Sequence, residues 1–470
     1  MQQTVLFRNI SRTRIRPETA CSGTIRLNAL DHFESWFLLE VVYFYQHALD
    51  PAGLQQSLRQ ALLDFPLLCG QLRAAPDGSL HIDYPHQGVL FLSCDCDLTA
   101  QEASQGLHTT YPVYDFIAKI NPLLFSGKNK PLASFKLTRM KGGGSVLGIS
   151  VAHALTDAYS FYYFIQHWSR IHEGLPVDTP LHDRSLIMVP AQEDSCYSAG
   201  GAALPDACRG FRRLSSWQLF RLISSFVVQQ RSIVCLVLHF NRQQLIAIKN
   251  AAQGLQGLGP VSMGDALSAH LWLIFTKLTK TAETAASRKL LIPANIRPQM
   301  SHPQAVHYFG NAIAHLELAY RQEELEQHDI AAIANHCRMQ IAGFNRQHVG
   351  EQMLWLRCHE QEKRLYKVYA DIYPYAGDCM ISNLSRLPVY GACFGGEQPF
   401  RAAVPVIPIP GVLQIMPAPD ASSAVDVHVH LPRSVADMLR SDKWQGELYK
   451  FGEAADTAAA KNFDDFSPND

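Results

Sequence analysis

One histidine, His153, stands at the junction of two kinds of sequence in VLGISVAHALTDAYSFYYFI (146–165), and Asp157 follows it by four residues. Of the 20 histidines, it alone has an aspartate at that spacing. An imidazole titrates near neutrality, at about pH 6.5, so it can take a proton from a hydroxyl or an amine. Two roles are open to Asp157. It can orient the ring, as in a serine-protease triad, or face away, pair with a cation and cap the next helix. The second is preferred, because Thr156 or Asp157 falls where an N-cap belongs, ahead of AYSFYYFIQHW. Spacing alone decides little: with this many His and Asp residues about one such match arises by chance. The plainer alternative is a core histidine at a strand end.

The elements around the pair give it a context. SVLGISVA reads as a strand and joins the SFKLTRMK strand (134–141) through Gly142-Gly143-Gly144, a glycine-turn hairpin. The triple glycine is no phosphate loop, because no Gly-Lys-Ser/Thr follows and the next element is a strand. Val5 to Phe7, FLLEVVYFYQ (37–46), SLHIDY (79–84) and VLFLSC (89–94) also read as strands. Asp50 and Pro51 open a helix with an apolar stripe of Leu54, Leu58, Ala61 and Leu62, ended by Phe65-Pro66. Tyr159, Phe161, Tyr162 and Phe164 read as core packing rather than an aromatic acceptor site. In the second half SIVCLVLHF (232–240) and VDVHVHLP (425–432) read as strands, and 242–252 and 263–278 as helices. His428 and His430 share a strand face; with no third ligand of plausible spacing they read as surface histidines and not a metal site.

At 470 residues the chain is too long for one compact core. The expected division is a first domain over 1–173, an exposed linker over 174–215, a second domain over 216–455 and a disordered acidic tail over 456–470. A formal net charge of −1 excludes the strong basic excess of a nucleic-acid binder and argues against docking to an acidic membrane. The 11 cysteines include no C-x-x-C pair and read as free thiols in a reducing compartment. The polar N-terminus and the lack of a bilayer-length apolar run lead to the expectation of a soluble, cytoplasmic protein.

Several segments, in order, resemble the motifs of one family. GGGSVLGISVAHALTDAYSF resembles the hairpin and His-x-x-x-Asp loop of the BAHD acyltransferases, acyl-CoA-dependent relatives of chloramphenicol acetyltransferase and of condensation domains. LNALDHF (27–33), DFPLLCGQL (64–72), PLHDRSLI (180–187), SMGDALSAHLW (262–272), and ANIRPQM with HYFGNAI (294–313) resemble further family segments. The resemblance implies an α/β fold of two chloramphenicol-acetyltransferase-like domains, each a mixed sheet with helices, joined by a long crossover loop. A channel would run between them, with acyl-CoA entering from one face and the acceptor from the other. His153 would then be the general base, and Asp157 structural, paired with Arg297. Lys277, Lys280, Arg288 and Lys289 lie near where the family binds CoA and are candidate phosphate ligands; the alternative is a solvated charged loop. Ser382 and Asn383 in MISNLSRLP are candidate oxyanion donors, or an ordinary polar strand end. The family's Asp-Phe-Gly-Trp-Gly segment is altered here to YGACFGGEQPF (390–400), and Ala158 follows Asp157 where glycine is usual.

The implied activity is acyl transfer from acyl-CoA to a small-molecule alcohol or amine, by a monomer with no permanently bound cofactor or metal. Two alternatives stand beside it. One takes the acyl group from a carrier protein; Ala152, where condensation domains usually have a first histidine, counts against it. The other is an inactive relative that only binds a ligand, favoured by the altered YGACFGGE loop and opposed by intact His153 and Asp157.

Overall fold

The computed structural model describes residues 3–19, 22–84, 87–120, 130–187, 205–253, 260–279, 287–373, 377–419 and 423–452. The first half contains β1 (Phe7–Ile15), β2 (Gly23–Arg26), β3 (Leu38–Tyr45), β4 (Gln71–Ala74), β5 (Leu80–Tyr84), β6 (Val89–Cys96), β7 (Ala133–Met140) and β8 (Ser145–Ala152). Its helices include α1 (Ala29–Phe33), α2 (Pro51–Asp64), α3 (Ala100–Gln105) and α4 (Ala158–His172). The second half contains β9 (Ala207–Cys208), β10 (Phe211–Arg213), β11 (Ile233–Phe240), β12 (Ser287–Asn295), β13 (Ile313–Arg321), β14 (Val368–Ala370), β15 (Cys379–Asn383), β16 (Arg401–Ala403), β17 (Val412–Pro417) and β18 (Val425–Pro432).

Twelve of these strands build two mixed six-stranded sheets, ordered β1-β6-β7-β8-β3-β16 and β11-β18-β17-β15-β12-β13, and the other six form two three-stranded sheets, β2-β5-β4 and β14-β10-β9. In the first, β6 and β7 run parallel and the other neighbours antiparallel. In the second, β12, β15 and β17 are parallel. Each six-stranded sheet packs helices over an apolar face: α2 and α4 over the first, Met263–Leu278 and Ile330–Gly343 over the second. The helix starts are chemically marked. Asp50 accepts from the amides of Ala52 and Gly53 at the head of α2, and Ser262 and Asp265 form a capping box ahead of Met263–Leu278.

The β7–β8 hairpin turns through Gly142 and Gly143, both at positive φ (81° and 93°), a conformation glycine adopts at no steric cost. Every residue of β8 is buried, so its run of apolar residues needs no alternation. It delivers His153 one residue past its end.

Three expectations change. The first strand is Phe7–Ile15, not Val5 to Phe7. It is an edge strand exposed along most of its length, so polar residues suffice and no apolar signal marks it. The second-domain span 216–455 does not close on itself: β16 adds to the first sheet beside β3, and Leu384, Val389, Ala392, Phe394 and Ala402 pack into the first domain's core. In the 174–215 span, residues 188–204 lie outside the described residues, but the flanks are built into the fold. Arg184 is buried, Leu181 bridges to Tyr308, and β10 pairs with β9 on one side and with β14 on the other. The 456–470 tail lies outside the described residues. No described helix is long and apolar enough to cross a membrane.

Candidate active site

His153 is held at both ends of its residue. Its amide donates to the Phe37 carbonyl (3.0 Å), at the entry to the neighbouring strand β3. Its ring Nδ1 lies 3.1 Å from Asn311 Oδ1, on the segment leading into β13. The direction of that second bond follows from the other bonds of Asn311. The Asn311 amide nitrogen donates to the His153 carbonyl and to Asp31 Oδ1, each at 2.8 Å, and both are acceptors. Its carbonyl oxygen therefore faces the ring, and Nδ1 must carry the proton. Nε2 is left with its lone pair, the form a general base needs. The ring keeps 15% of its surface exposed, so it is not sealed in the core. Facing Nε2 at 3.8 Å is Glu34 Oε2, from the short turn Glu34–Trp36 that follows α1.

Asp157 points elsewhere. It is the N-cap of α4 and accepts from Ser160 N at 2.8 Å. Arg297 grips both of its oxygens, Nη1 to Oδ2 at 2.8 Å and Nη2 to Oδ1 at 3.1 Å, and Ala312 N donates to Oδ2 at 2.9 Å. Both side chains are 1% exposed. Burial opposes ionisation of Asp157, but Arg297's charge and hydrogen bonds, with the two amides, outweigh it and hold the carboxyl below its usual range. No Asp157 oxygen bonds to the His153 ring, so the triad geometry is absent; the pair ties the His153 loop to the second half of the chain.

A second buried ion pair lies beside the first. Arg184 Nε sits 2.9 Å from Asp31 Oδ2, with Asp31 fully buried, and Arg184 Nη2 donates to the Leu155 carbonyl at 3.0 Å. Burial raises the Asp31 carboxyl's pKa, and the charge of Arg184 and the Asn311 hydrogen bond oppose that rise. Gly310 makes room for both arginines. A Cβ there would meet Arg184 Nη1 at 2.2 Å, while its carbonyl accepts from Arg297 Nη2 at 3.0 Å. Gly310→Ala is expected to destabilise the fold by about 1–3 kcal/mol through overpacking, read as a lower melting temperature. Asn311→Leu is expected to lower kcat by about 10²-fold, because Nδ1 loses the acceptor that sets the tautomer. Steady-state kinetics on the folded variant check it.

The comparisons with known proteins now bear on this geometry. A family model described as the Transferase family matches residues 8–445. The chain belongs to this family, the BAHD acyl-CoA-dependent acyltransferases. Rosmarinate synthase of Plectranthus scutellarioides is 25% identical over 439 residues, covering 89% of this chain and 95% of that one. Agmatine coumaroyltransferase-1 of Hordeum vulgare is 23% identical, covering 89% and 94%. Among solved structures, F. graminearum TRI101 with ethyl coenzyme A superposes with a TM-score of 0.73 at 16% identity, covering 90% of this chain and 98% of that one. Vinorine synthase gives 0.66 at 17% identity, covering 93% and 97%. These likenesses show the two-domain chloramphenicol-acetyltransferase-like fold.

For this BAHD chain the expected CoA ligands separate. Lys277 is exposed on its helix, and Lys280 lies outside the described residues. Arg288 is 1% exposed and donates to Gln322 Oε1 and to the Thr279 carbonyl. Lys289 Nζ is matched by Glu317 Oε1 (2.7 Å) and Asp371 Oδ2 (2.6 Å). The expectation of an open basic mouth is thus corrected for these two, whose strand β12 lies between β13 and β15 and turns them into internal partners. Four cations gather on the first domain instead: Arg12, Arg14, Lys119 and Lys130 line a groove of about 480 Å³. Ser382 and Asn383 end β15. The Asn383 carbonyl oxygen accepts from Ser385 N and Oγ, and neither residue shares a hydrogen bond with the His153 network.

His428 and His430 are not surface residues. They are 4% and 0% exposed, because their strand face is covered from the first domain. His108, Cys235 and His428 bring potential ligand atoms within 4.8 Å of one another, a convergence no spacing announces. Burial, with His108, His430 and Arg401 nearby, holds the His428 ring well below its usual pKa. The altered YGACFGGEQPF loop packs at the far end of α4. Phe394 lies 4.7 Å from Trp168 and 5.3 Å from His172, ring to ring, and the amides of Gly395 and Gly396 donate to Glu173. That is about 20 Å along the helix axis from Asp157.

Proposed function

We propose that the protein transfers the acyl group of an acyl-CoA to the hydroxyl or amine of a small acceptor, with His153 Nε2 as the general base. The observation that carries this reading is the hydrogen-bond chain through Asn311, which assigns the Nδ1–H tautomer to the neutral ring and turns Nε2 away from Asn311 on a partly exposed side chain. A thioester is already activated, so no enzyme nucleophile is required. The acceptor heteroatom attacks the thioester carbonyl while Nε2 takes its proton. The tetrahedral oxyanion collapses, the carbon–sulfur bond breaks, and the imidazolium returns the proton to the CoA thiolate. Bringing both substrates to one ring converts a bimolecular encounter into a near-unimolecular step.

Support for CoA as donor comes from family membership and from the likeness to CoA-bound structures. A condensation domain superposes less well, with a TM-score of 0.56. Asp157 and Arg297 act in this reading as positioning residues. Incubating the protein with a panel of acyl-CoAs and acceptors, and reading free thiol together with the acylated product by mass spectrometry, tests it. Acyl transfer from CoA thioesters is expected. Transfer from carrier-protein thioesters alone would overturn the donor assignment.

A further inference from the structure

Glu34 is a buried carboxylate whose Oε2 lies 3.8 Å from His153 Nε2, and nothing in the mechanism above uses it. Three carboxylates lie near one another here: Asp31, Glu34 and Asp157. Two have arginines, Asp31 with Arg184 and Asp157 with Arg297. Among the described residues, the ion partner of Glu34 is the His153 ring alone. That contact, at 3.8 Å, is too long for a direct hydrogen bond. It is the separation at which one atom can bridge: a donor about 2.8 Å from both Nε2 and Oε2 sees them about 85° apart. Glu34 is held there by its position, since its amide caps α1 and its own carbonyl accepts from Phe37, the residue that also holds the His153 amide.

We propose that Glu34 makes the acceptor a primary amine, a substrate class narrower than the acyl-transfer reading on which this inference rests. A neutral amine has two hydrogens to give, one to each of the two acceptors. An alcohol has one, and would leave the second acceptor facing an oxygen lone pair. Charge points the same way: an incoming ammonium supplies the cation that Glu34, unlike its two neighbours, does not get from an arginine. Amine chemistry also needs two protons removed. The ammonium gives one to the Glu34 carboxylate, leaving a neutral amine. The nitrogen lone pair attacks the thioester carbonyl and His153 takes the second. The carbon–sulfur bond breaks, the thiolate takes its proton from His153, and the Glu34 proton passes to water. Amide, CoA thiol and one proton leave the site. Burial, with Asp157 and Asp31 nearby, raises the carboxyl's pKa, and His153 opposes that rise.

The test pairs acceptors of equal skeleton: 2-phenylethylamine with 2-phenylethanol, and 1,4-diaminobutane with 1,4-butanediol, each with acetyl-CoA and an aromatic acyl-CoA. The expected result is a kcat/KM at least about 100-fold higher for the amine of a pair. Glu34→Gln should cut amine transfer at least about 10-fold, spare any alcohol transfer, and move the acid limb of the amine pH profile upward. Glu34→Asp should recover part of the loss. Because the folded carboxyl's pKa is raised, stability is lost as pH rises from about 4, where the unfolded carboxyl ionises, so Glu34→Gln should melt no lower than the parent at pH 7. Transfer to alcohols alone, or an amine-to-alcohol ratio that Glu34→Gln leaves unchanged, would overturn this inference and leave the acyltransferase reading standing. No transfer in either series would remove that reading, and this one with it.

Discussion

His153→Ala is expected to lower kcat by about 10²–10⁴-fold, the range that a positioned base contributes. The loss should fall on kcat rather than on CoA binding, because in the proposed mechanism the ring meets the acceptor proton and not the nucleotide. Stability should change little. The ring is partly exposed and makes one side-chain hydrogen bond, to Asn311, while the backbone bonds to Phe37 and Asn311 survive the substitution. Single-turnover acyl transfer, with calorimetric CoA titration of the same variant, checks both halves. Parental turnover in His153→Ala would remove the base assignment.

Arg297→Ala should fail differently. It strips Asp157 of its cation while the carboxylate stays buried, and breaking one side of such a pair costs about 3–5 kcal/mol. The melting temperature should drop by several degrees, and activity should fall with it, because Arg297 also bonds the Tyr308 and Gly310 carbonyls and Ser160 Oγ. Asp157→Asn should behave alike, leaving the arginine unpaired. The pH dependence has a fixed sign. The Asp157 carboxyl's pKa is lowered in the folded state, so its contribution is fully present above about pH 4 and is lost as pH falls through the depressed folded value. The parent should therefore lose more stability than Asp157→Asn when melted at acid pH. If Asp157→Asn instead kept the parental melting temperature and lost only kcat, the aspartate would be a catalytic orienter after all.

Much of the scaffold is legible along the chain. The Met263–Leu278 helix and the Val425–Pro432 strand occupy the ranges their periodicity marks, and α2 starts at its Asp50–Pro51 cap. These are local signals, carried by spacing within one element. What is not legible depends on what covers an element. The face bearing His428 and His430 looks like a solvent face until the first domain packs over it. Arg288 and Lys289 look like free cations until Gln322, Glu317 and Asp371 meet them. Glu34, just after LNALDHF, carries no mark in the sequence, and only the fold sets it against the His153 ring.

The order of motifs determined by itself the family, the two-domain architecture and the candidate for the base, because each is written in contiguous residues. The ring's tautomer and the presence of Glu34 at Nε2 were decided by tertiary structure. The physical reason is distance along the chain. Asn311 meets His153 across 158 residues and Arg297 meets Asp157 across 140, so the chemistry of the site is set by how distant stretches of the chain pack against each other.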